Sequence, residues 1–403
     1  MALLQGKLFV RFSGSWPVNL YQRFGVYAIL GCVTLLNLLV LPAMVGVLTD
    51  DTILTEAQSG WAASVNFLAA SMVALFMALR MHRLHLRQVA IAGLLLAAAS
   101  DITSAYAADS LYPFLASRFM AGMGAGAAYT AVMAAFARLP EVDRGYGVFV
   151  TLQFIVSGLG LYVLPVYSAD LGFDGMFFAF AALEIAAVVL CFSLPGNSQP
   201  TESEGTRLPR RTELQVLLAA STLLGVLGFA VFETANVAQF TYVERLGVAL
   251  DLSDHQVGLA LGIGSLAGIP GAFAIVLMGR RFGRIKPLSV GIALAITGLI
   301  LLIRTDAFAL YLAGSCLLGF SWAFCLPYIQ GLLAVLDSRG SAVAAGAATS
   351  TVGGAIGPGL AALVVGDGLY DRVFIMTIAL FIAAWLSLWF ANRSACGQTE
   401  GTS

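Results

Sequence analysis

Charge is what this chain has least of. Only 11% of its 403 residues are Asp, Glu, Lys or Arg, against about 25% in a soluble globular domain. A water-soluble enzyme of this size is thereby excluded, and a net charge of -1 offers no basic face for nucleic acid. Histidine is nearly absent. His82 and His85 form a His-x-x-His pair with no third ligand, so no metal centre is predicted. The five cysteines, Cys32, Cys191, Cys316, Cys325 and Cys396, are scattered and never form Cys-x-x-Cys. They read as small buried hydrophobes. No Gly-Lys-Ser/Thr phosphate cradle occurs, so neither ATP nor any other cofactor is expected to drive the protein. Residues 1–23 hold Lys7, Arg11 and Arg23 without a separate apolar core and small-residue cleavage site, so no cleavable signal peptide is expected.

What fills the chain is hydrocarbon: 59% hydrophobic residues and a mean hydropathy of +0.89. Runs long enough to cross about 30 Å of bilayer fall near 24–48, 58–79, 88–107, 111–137, 146–168, 172–194, 214–242, 255–278, 287–304, 308–335, 341–365 and 371–391. The sequence therefore predicts an all-α integral membrane protein with twelve transmembrane helices. The third and fourth runs nearly touch, which makes "TSAYAADSLY" a tight turn.

Lys and Arg concentrate on cytoplasmic loops. With the N-terminus placed in the cytoplasm, 17 of the 21 basic residues fall on that side. Arg245, Arg304 and Arg372 fall on the other, and Arg118 sits within a span. Both termini are thus expected in the cytoplasm, in a bacterial inner membrane. The segment "PGNSQPTESEGTRLPRRTE" is polar and Pro-containing, as a linker is. It divides the chain into residues 1–194, a linker at 195–213, and residues 214–403.

The two parts echo each other. "LTEAQSG" at Leu54 and "LSDHQVG" at Leu252 share a frame of Leu, hydroxyl, acid, any residue, Gln, any residue, Gly, 198 residues apart. Thr55-x-x-Gln58 and Ser253-x-x-Gln256 each spell a capping box. Glu56 and Asp254 place an acid at the positive end of a helix dipole. Each motif opens the second span of its part. "DRGYG" at Asp143 and "SRGSA" at Ser338 each precede a fifth span. A duplicated six-helix unit accounts for these echoes. It predicts a pseudo-two-fold axis along the membrane normal with a cavity between the halves.

The fourth span reads "RFMAGMGAGAAY", with Arg118 followed by Gly122, Gly124 and Gly126. The loop after the eighth span reads "GRRFGRIKP", and the eleventh span carries "GGAIGPG". In these motifs, and over residues 20–395, the chain resembles the major facilitator superfamily. It departs from that pattern in three places. "LRMHRLHLR" keeps the basic residues of the loop after the second span but lacks its Asp and Gly. Arg280 stands where the second copy usually has Asp. The fifth span lacks the Gly-Pro pair common in drug–proton antiporters.

The resemblance implies that spans one, four, seven and ten line the cavity, with two, five, eight and eleven beside them. It also points to Arg118 as an anchor for an anionic substrate or a neighbour of a proton site; a purely structural tie to carbonyls of the first helix is the alternative. Arg118 is costly in hydrocarbon, so polar company is expected. Glu233, Asn236 and Gln239 form a stripe on the seventh span, and Glu233 is the first candidate to hold a transported proton. The other reading of Glu233 is a solvated carboxyl at the outer mouth. Glu184, on the sixth span, is the second proton candidate, or else a protonated carboxyl bonded to a neighbouring helix. Asn37, Asn66, Tyr129 and Gln153 are candidate substrate contacts, as are Tyr162, Trp322 and Gln330, with Tyr328 weaker. Asp101 and Asp109 are expected to be solvated near the outer surface. Gly122, Gly124 and Gly126 are expected to allow close helix approach.

These readings point to a secondary transporter for a small organic solute, an organic anion or an amphipathic aromatic compound, working by alternating access. Protons are the expected coupling ion, with sodium as the alternative, and a monomer in the bilayer is expected. A multidrug–proton efflux antiporter and a non-transporting receptor on the same scaffold are the other readings. A membrane-embedded enzyme would need His, Asp or Cys clustered at one depth, which the spans do not supply.

Overall fold

A computed structural model describes residues 16–78, 85–195, 219–279, 281–303, 307–337, 341–366 and 368–400. His82, Arg83, Arg280, Arg339 and nearly all of the 195–213 linker lie outside the described residues. Every regular element among the described residues is helical. Among the described residues, eleven helices are long and apolar enough to cross a membrane, and a broken first helix supplies the twelfth crossing.

That first crossing, α1, comes in three pieces: Trp16–Thr34, Leu36–Leu39 and Leu41–Asp51. The single run predicted over 24–48 is therefore interrupted. Pro42 has no N–H to offer the Leu38 carbonyl four residues back, and its ring crowds that carbonyl; the chain leaves helical geometry at Val40. The same logic divides α8 into Asp254–Leu266 and Gly268–Met278, because Pro270 lies four residues beyond Leu266. Between them come α2 (Glu56–Ala78), α3 (Leu86–Ala107), α4 (Leu111–Phe136) and α7 (Ala220–Ala249). Spans α5 (Arg144–Ser168) and α6 (Asp170–Ser193) belong to one helical run, Val142–Leu190, that turns at Gly172. Gly172 has φ of 63° and ψ of 172°, a conformation essentially reserved for glycine. The set is completed by α9 (Ile285–Ile303), α10 (Phe308–Leu336), α11 (Ser341–Val365) and α12 (Tyr370–Glu400).

Both predicted capping boxes form. Thr55 N–H donates to Gln58 Oε1 at 2.9 Å while Gln58 N–H donates to Thr55 Oγ1 at 3.3 Å. Ser253 and Gln256 repeat the exchange at 3.1 and 3.3 Å. The tight turn between α3 and α4 is three residues, 108–110.

Small residues set the helix spacing within the first half. A Cβ on Gly126 would lie 2.5 Å from the Ala70 carbonyl of α2, and one on Gly124 would lie 2.5 Å from the Gly93 carbonyl of α3. Helix α4 is thus pinched between two neighbours through the glycines that follow Arg118. Between the halves, α5 and α8 meet at Gly158 and Gly262, where a Cβ on either would sit about 3 Å from the other's carbonyl. Helices α2 and α11 meet through Ser64, whose hydroxyl donates to the Ala355 carbonyl at 2.5 Å, and Ser71, which donates to Thr351 at 3.1 Å.

Candidate functional site

A cavity of about 160 Å³ lies between the halves. Helix α1 contributes Leu38 and Leu39 from beside its break, and α5 contributes Gln153, Phe154 and Ser157. Helix α7 presents Glu233, Asn236, Gln239, Phe240 and Val243, α8 presents Leu261 and Ser265, and α10 presents Ser315, Leu318 and Trp322. The α7 residues recur three and four apart, so one helical face looks into the cavity. Ser157 ties α5 to the α1 break by donating to the Leu39 carbonyl at 2.7 Å.

The chemistry of this wall is lopsided. Trp322 Nε1 donates to Glu233 Oε2 at 3.4 Å, which leaves Glu233 Oε1 buried with no hydrogen bond. Gln239 Oε1 is buried in the same condition. Asn236 spends its Nδ2 on the Phe232 carbonyl of its own helix, at 2.8 Å. Among the described residues, no Lys or Arg lines the cavity. The wall therefore offers one carboxyl group and the amide groups of Gln153 and Gln239, which carry both donors and acceptors, with aromatic edges from Phe154 and Trp322, whose rings meet edge-on at 5.9 Å. Glu233 is 9% exposed and sixteen residues from the end of α7. The helix runs on to Ala249, seven residues past the predicted span, so Glu233 is a mid-helix carboxyl and not one at the mouth.

Of the predicted residues, Glu233, Asn236, Gln239, Gln153 and Trp322 come together here. The others do not. Arg118 is fully buried inside the first half and stays clear of the cavity. Its guanidinium donates to Asp101 of α3, to the Ser104 hydroxyl and to the Ser100 carbonyl, and its Nη1 reaches Asn37 Oδ1 at 3.5 Å. Phe177 of α6 lies 4.3 Å from the guanidinium carbon. Arg118 is thus tied to α3, not to carbonyls of α1, and Asp101, expected to be solvated, is its ion-pair partner at 0% exposure. Arg118 sits one turn before the run of glycines that draws α4 against α3, and the pair is enclosed at 1% and 0% side-chain exposure. Asp109 is exposed, as expected.

Glu184 is buried beside this pair, and its Oε2 accepts no hydrogen bond. Asn66 donates to the Arg118 backbone carbonyl at 3.0 Å and so braces α2 against α4. Tyr129 packs on Phe149 within the first half. Tyr162 faces His255 across the halves, 3.3 Å from its Nε2. Gln330 is exposed and Tyr328 donates to the Gly279 carbonyl.

A second assembly of charge lies where α1 and α7 end, and sequence reasoning missed it. Arg245, counted as a loop residue, is 5% exposed. It makes a two-pronged ion pair across the halves with Asp50, at 2.6 and 2.7 Å, and also meets Glu244 at 2.7 and 3.0 Å. Glu244 is itself buried, a further acid within the spans beside Asp101, Glu184 and Glu233. A Cβ on Gly46 would meet its carboxylate at 2.6 Å. Tyr242 donates to the Glu56 carbonyl at 2.8 Å, and Tyr370 donates to the Glu56 carboxylate. Contacts between the halves thus extend from this Asp50 end as far as Ser71 and Phe154. The available signal was the Glu-Arg pair inside "YVERLG", which a charge count by loop treats as surface.

Comparison with solved structures places the architecture. The chain superposes on a crystal structure of the nucleoside transporter NupG with a TM-score of 0.77, at 12% identity, over 92% of this chain and 99% of that one. It superposes on a bacterial homologue of the human lysosomal transporter Spinster, inward-facing and unoccupied, with a TM-score of 0.72, at 11% identity, over 95% and 99% of the two chains. No curated protein matches the sequence. The profile of the Major Facilitator Superfamily matches residues 26–336. The chain belongs to the major facilitator superfamily.

Proposed function

We propose that this protein is a secondary transporter that carries a small amphipathic or aromatic solute, uncharged or cationic, through the central cavity, coupled to protons at Glu233. The observation that carries the reading is the cavity wall itself. It holds one carboxyl group with a buried oxygen that no donor meets, a second such oxygen on Gln239 and two aromatic edges, and among the described residues no cation. Of the two solute classes that the sequence suggested, an organic anion would face Glu233 with nothing to offset its charge. A solute that brings N–H or O–H donors satisfies Glu233 Oε1 and Gln239 Oε1, and unsatisfied buried acceptors cost about 1–3 kcal/mol each. A volume of about 160 Å³ is below the roughly 300–1,000 Å³ usual for drug-sized ligands, which favours a small solute over a bulky drug.

The Asp50–Arg245 ion pair supports alternating access, since it joins the halves on one side of the cavity. With the orientation expected from the Lys and Arg distribution, that side is the outer one, both termini are cytoplasmic, and the membrane is the plasma membrane. The division into residues 1–194 and 214–403 around a cytoplasmic linker belongs to the same reading.

The test is transport in proteoliposomes. Tryptophan fluorescence of the purified protein first finds a solute that quenches it in the wild type and less so in Trp322→Phe. That solute is then assayed with and without a pH gradient. Glu233→Gln, which resembles the protonated acid, should keep downhill exchange and lose accumulation driven by the gradient. Unchanged accumulation with an unchanged pH profile would remove Glu233 from coupling.

A further inference from the structure

Helices α9 and α12 pack side by side in the second half, where Trp385 Nε1 of α12 donates to Ser289 Oγ of α9 at 2.8 Å. The next residue on each helix, Leu386 and Val290, is exposed at 41% and 55%. The seam between the two helices therefore faces hydrocarbon. Its charge is confined to the ends. Within Ile285–Ile303 and Tyr370–Arg393 the charged residues are Lys286, Asp371, Arg372 and Arg393. Asp371 and Arg372 open α12, whereas Arg393 closes its apolar stretch and Lys286 opens α9. Lys286 is one turn before Ser289 on the same face of α9, and Arg393 is two turns past Trp385 on the same face of α12. The Trp385–Ser289 bond thus brings two cations to one end of the seam, and neither span places an acid there.

Arg393 is held in position. Its guanidinium carbon lies 4.1 Å from the centre of the Trp389 ring. Trp389 in turn meets Phe390 edge-on at 4.9 Å and lies nearly parallel to Trp385 at 6.3 Å. A guanidinium laid on an aromatic face keeps its in-plane N–H donors, and that planar fork matches a phosphate. Lys286 and Arg393 are both exposed, and among the described residues neither has an acidic partner. Cations without counter-charge stand above an apolar seam, with a tryptophan between them at the depth where membrane headgroups begin. A soluble phosphate would complement only the upper part. A molecule with an anionic head and hydrocarbon chains complements both.

We propose that the α9–α12 seam binds an anionic phospholipid, its headgroup between Lys286 and Arg393 and its chains along Val290, Leu386 and Phe390. The site is separate from the transport cavity, which none of these residues lines. With the expected orientation, the lipid belongs to the cytoplasmic leaflet.

Native mass spectrometry of the full-length protein in detergent tests this by counting retained lipid. The protein is titrated with phosphatidylglycerol and, separately, with phosphatidylcholine of the same chains. The wild type should bind its first phosphatidylglycerol about 25-fold more tightly, about fivefold for each cation. Lys286→Gln and Arg393→Gln should each cut that preference about fivefold, and the double variant should abolish it with phosphatidylcholine binding unchanged. Trp389→Leu should weaken phosphatidylglycerol binding nearly as much as Arg393→Gln, because it releases the guanidinium. Arg23→Gln, which removes an exposed cation of α1, should change nothing. Equal binding of the two lipids by the wild type overturns the proposal, as does an equal loss in Arg23→Gln, which would mean attraction by the whole basic face. Inorganic phosphate at millimolar concentration should leave the bound phosphatidylglycerol in place; displacement would mean a phosphate site that does not use the seam, and would also overturn it. If Trp389→Leu fails to fold, the two exposed cations decide the matter, since neither substitution touches the packing between helices.

Discussion

Arg118 and Glu233 are both charged groups within spans, yet their surroundings assign them opposite work. Glu233 keeps one oxygen free at the edge of a cavity, whereas every direction around Arg118 is occupied by its own helices. Removing one partner of a buried ion pair strands the other, at a cost of about 3–5 kcal/mol. Arg118→Ala should therefore lower the melting temperature and the yield of folded protein, not only uptake. Arg118→Lys should recover part of the stability, since a point charge replaces a planar fork that serves Asp101, Ser104 and Ser100 at once. Pairing Arg118→Ala with Asp101→Asn should recover some of the loss by removing the stranded charge. Thermal unfolding of the four proteins in one detergent measures this directly. An Arg118→Ala protein as stable as the wild type, but inactive, would instead return Arg118 to the transport chemistry.

At the scale of the element, helix ends and helix contacts were written with different residues and fail in different ways. Thr55→Ala and Ser253→Ala each remove a side-chain cap on equivalent helices, and each should cost about 1 kcal/mol. The two losses should add, because the caps share no partner. Gly126 is another matter. A Cβ there would lie 2.5 Å from the Ala70 carbonyl, so Gly126→Val must push α4 off α2. That change should cost more than both cap losses together, and chemical denaturation of the three variants would rank them. A ranking with Gly126→Val the mildest would mean that the helices re-space freely.

For the whole molecule, the ion pair between Asp50 and Arg245 joins the halves at one end of the cavity. Asp50 is largely exposed while Arg245 is buried, so Asp50→Asn weakens the cross-half attraction and leaves Arg245 paired with Glu244. In a cysteine-free protein carrying Val243→Cys in the cavity wall, Asp50→Asn should raise labelling by a membrane-impermeant thiol reagent several-fold from the Asp50 side. An unchanged rate would mean that the Tyr242 and Tyr370 bonds to Glu56 hold the end shut alone. The same reagent fixes the orientation: Thr52→Cys should label from outside intact cells, and labelling only in inverted vesicles would reverse the expected topology.

Much of this was legible in the chain because the physics is local. Twelve crossings follow from runs of apolar residues that must span hydrocarbon, and both capping boxes follow from residues three apart on one helix start. The glycines after Arg118 announced close packing, because nothing else lets two backbones approach so nearly. Glu233, Asn236, Gln239, Gln153 and Trp322 line the cavity on spans that the family resemblance marked as lining ones. The breaks in α1 and α8 were also within reach, since Pro42 and Pro270 were in plain view. What the chain could not disclose is which helix faces which. Asp101 looked like a surface acid until α3 was laid against α4, and Arg245 looked like a loop cation until α1 brought Asp50 to it. Asn37, Asn66 and Tyr129 lie on spans of the expected kind but are turned toward helix neighbours in their own half. A side chain's partner hundreds of residues away, and the direction in which its helix is rotated, are decided only when all twelve helices pack together.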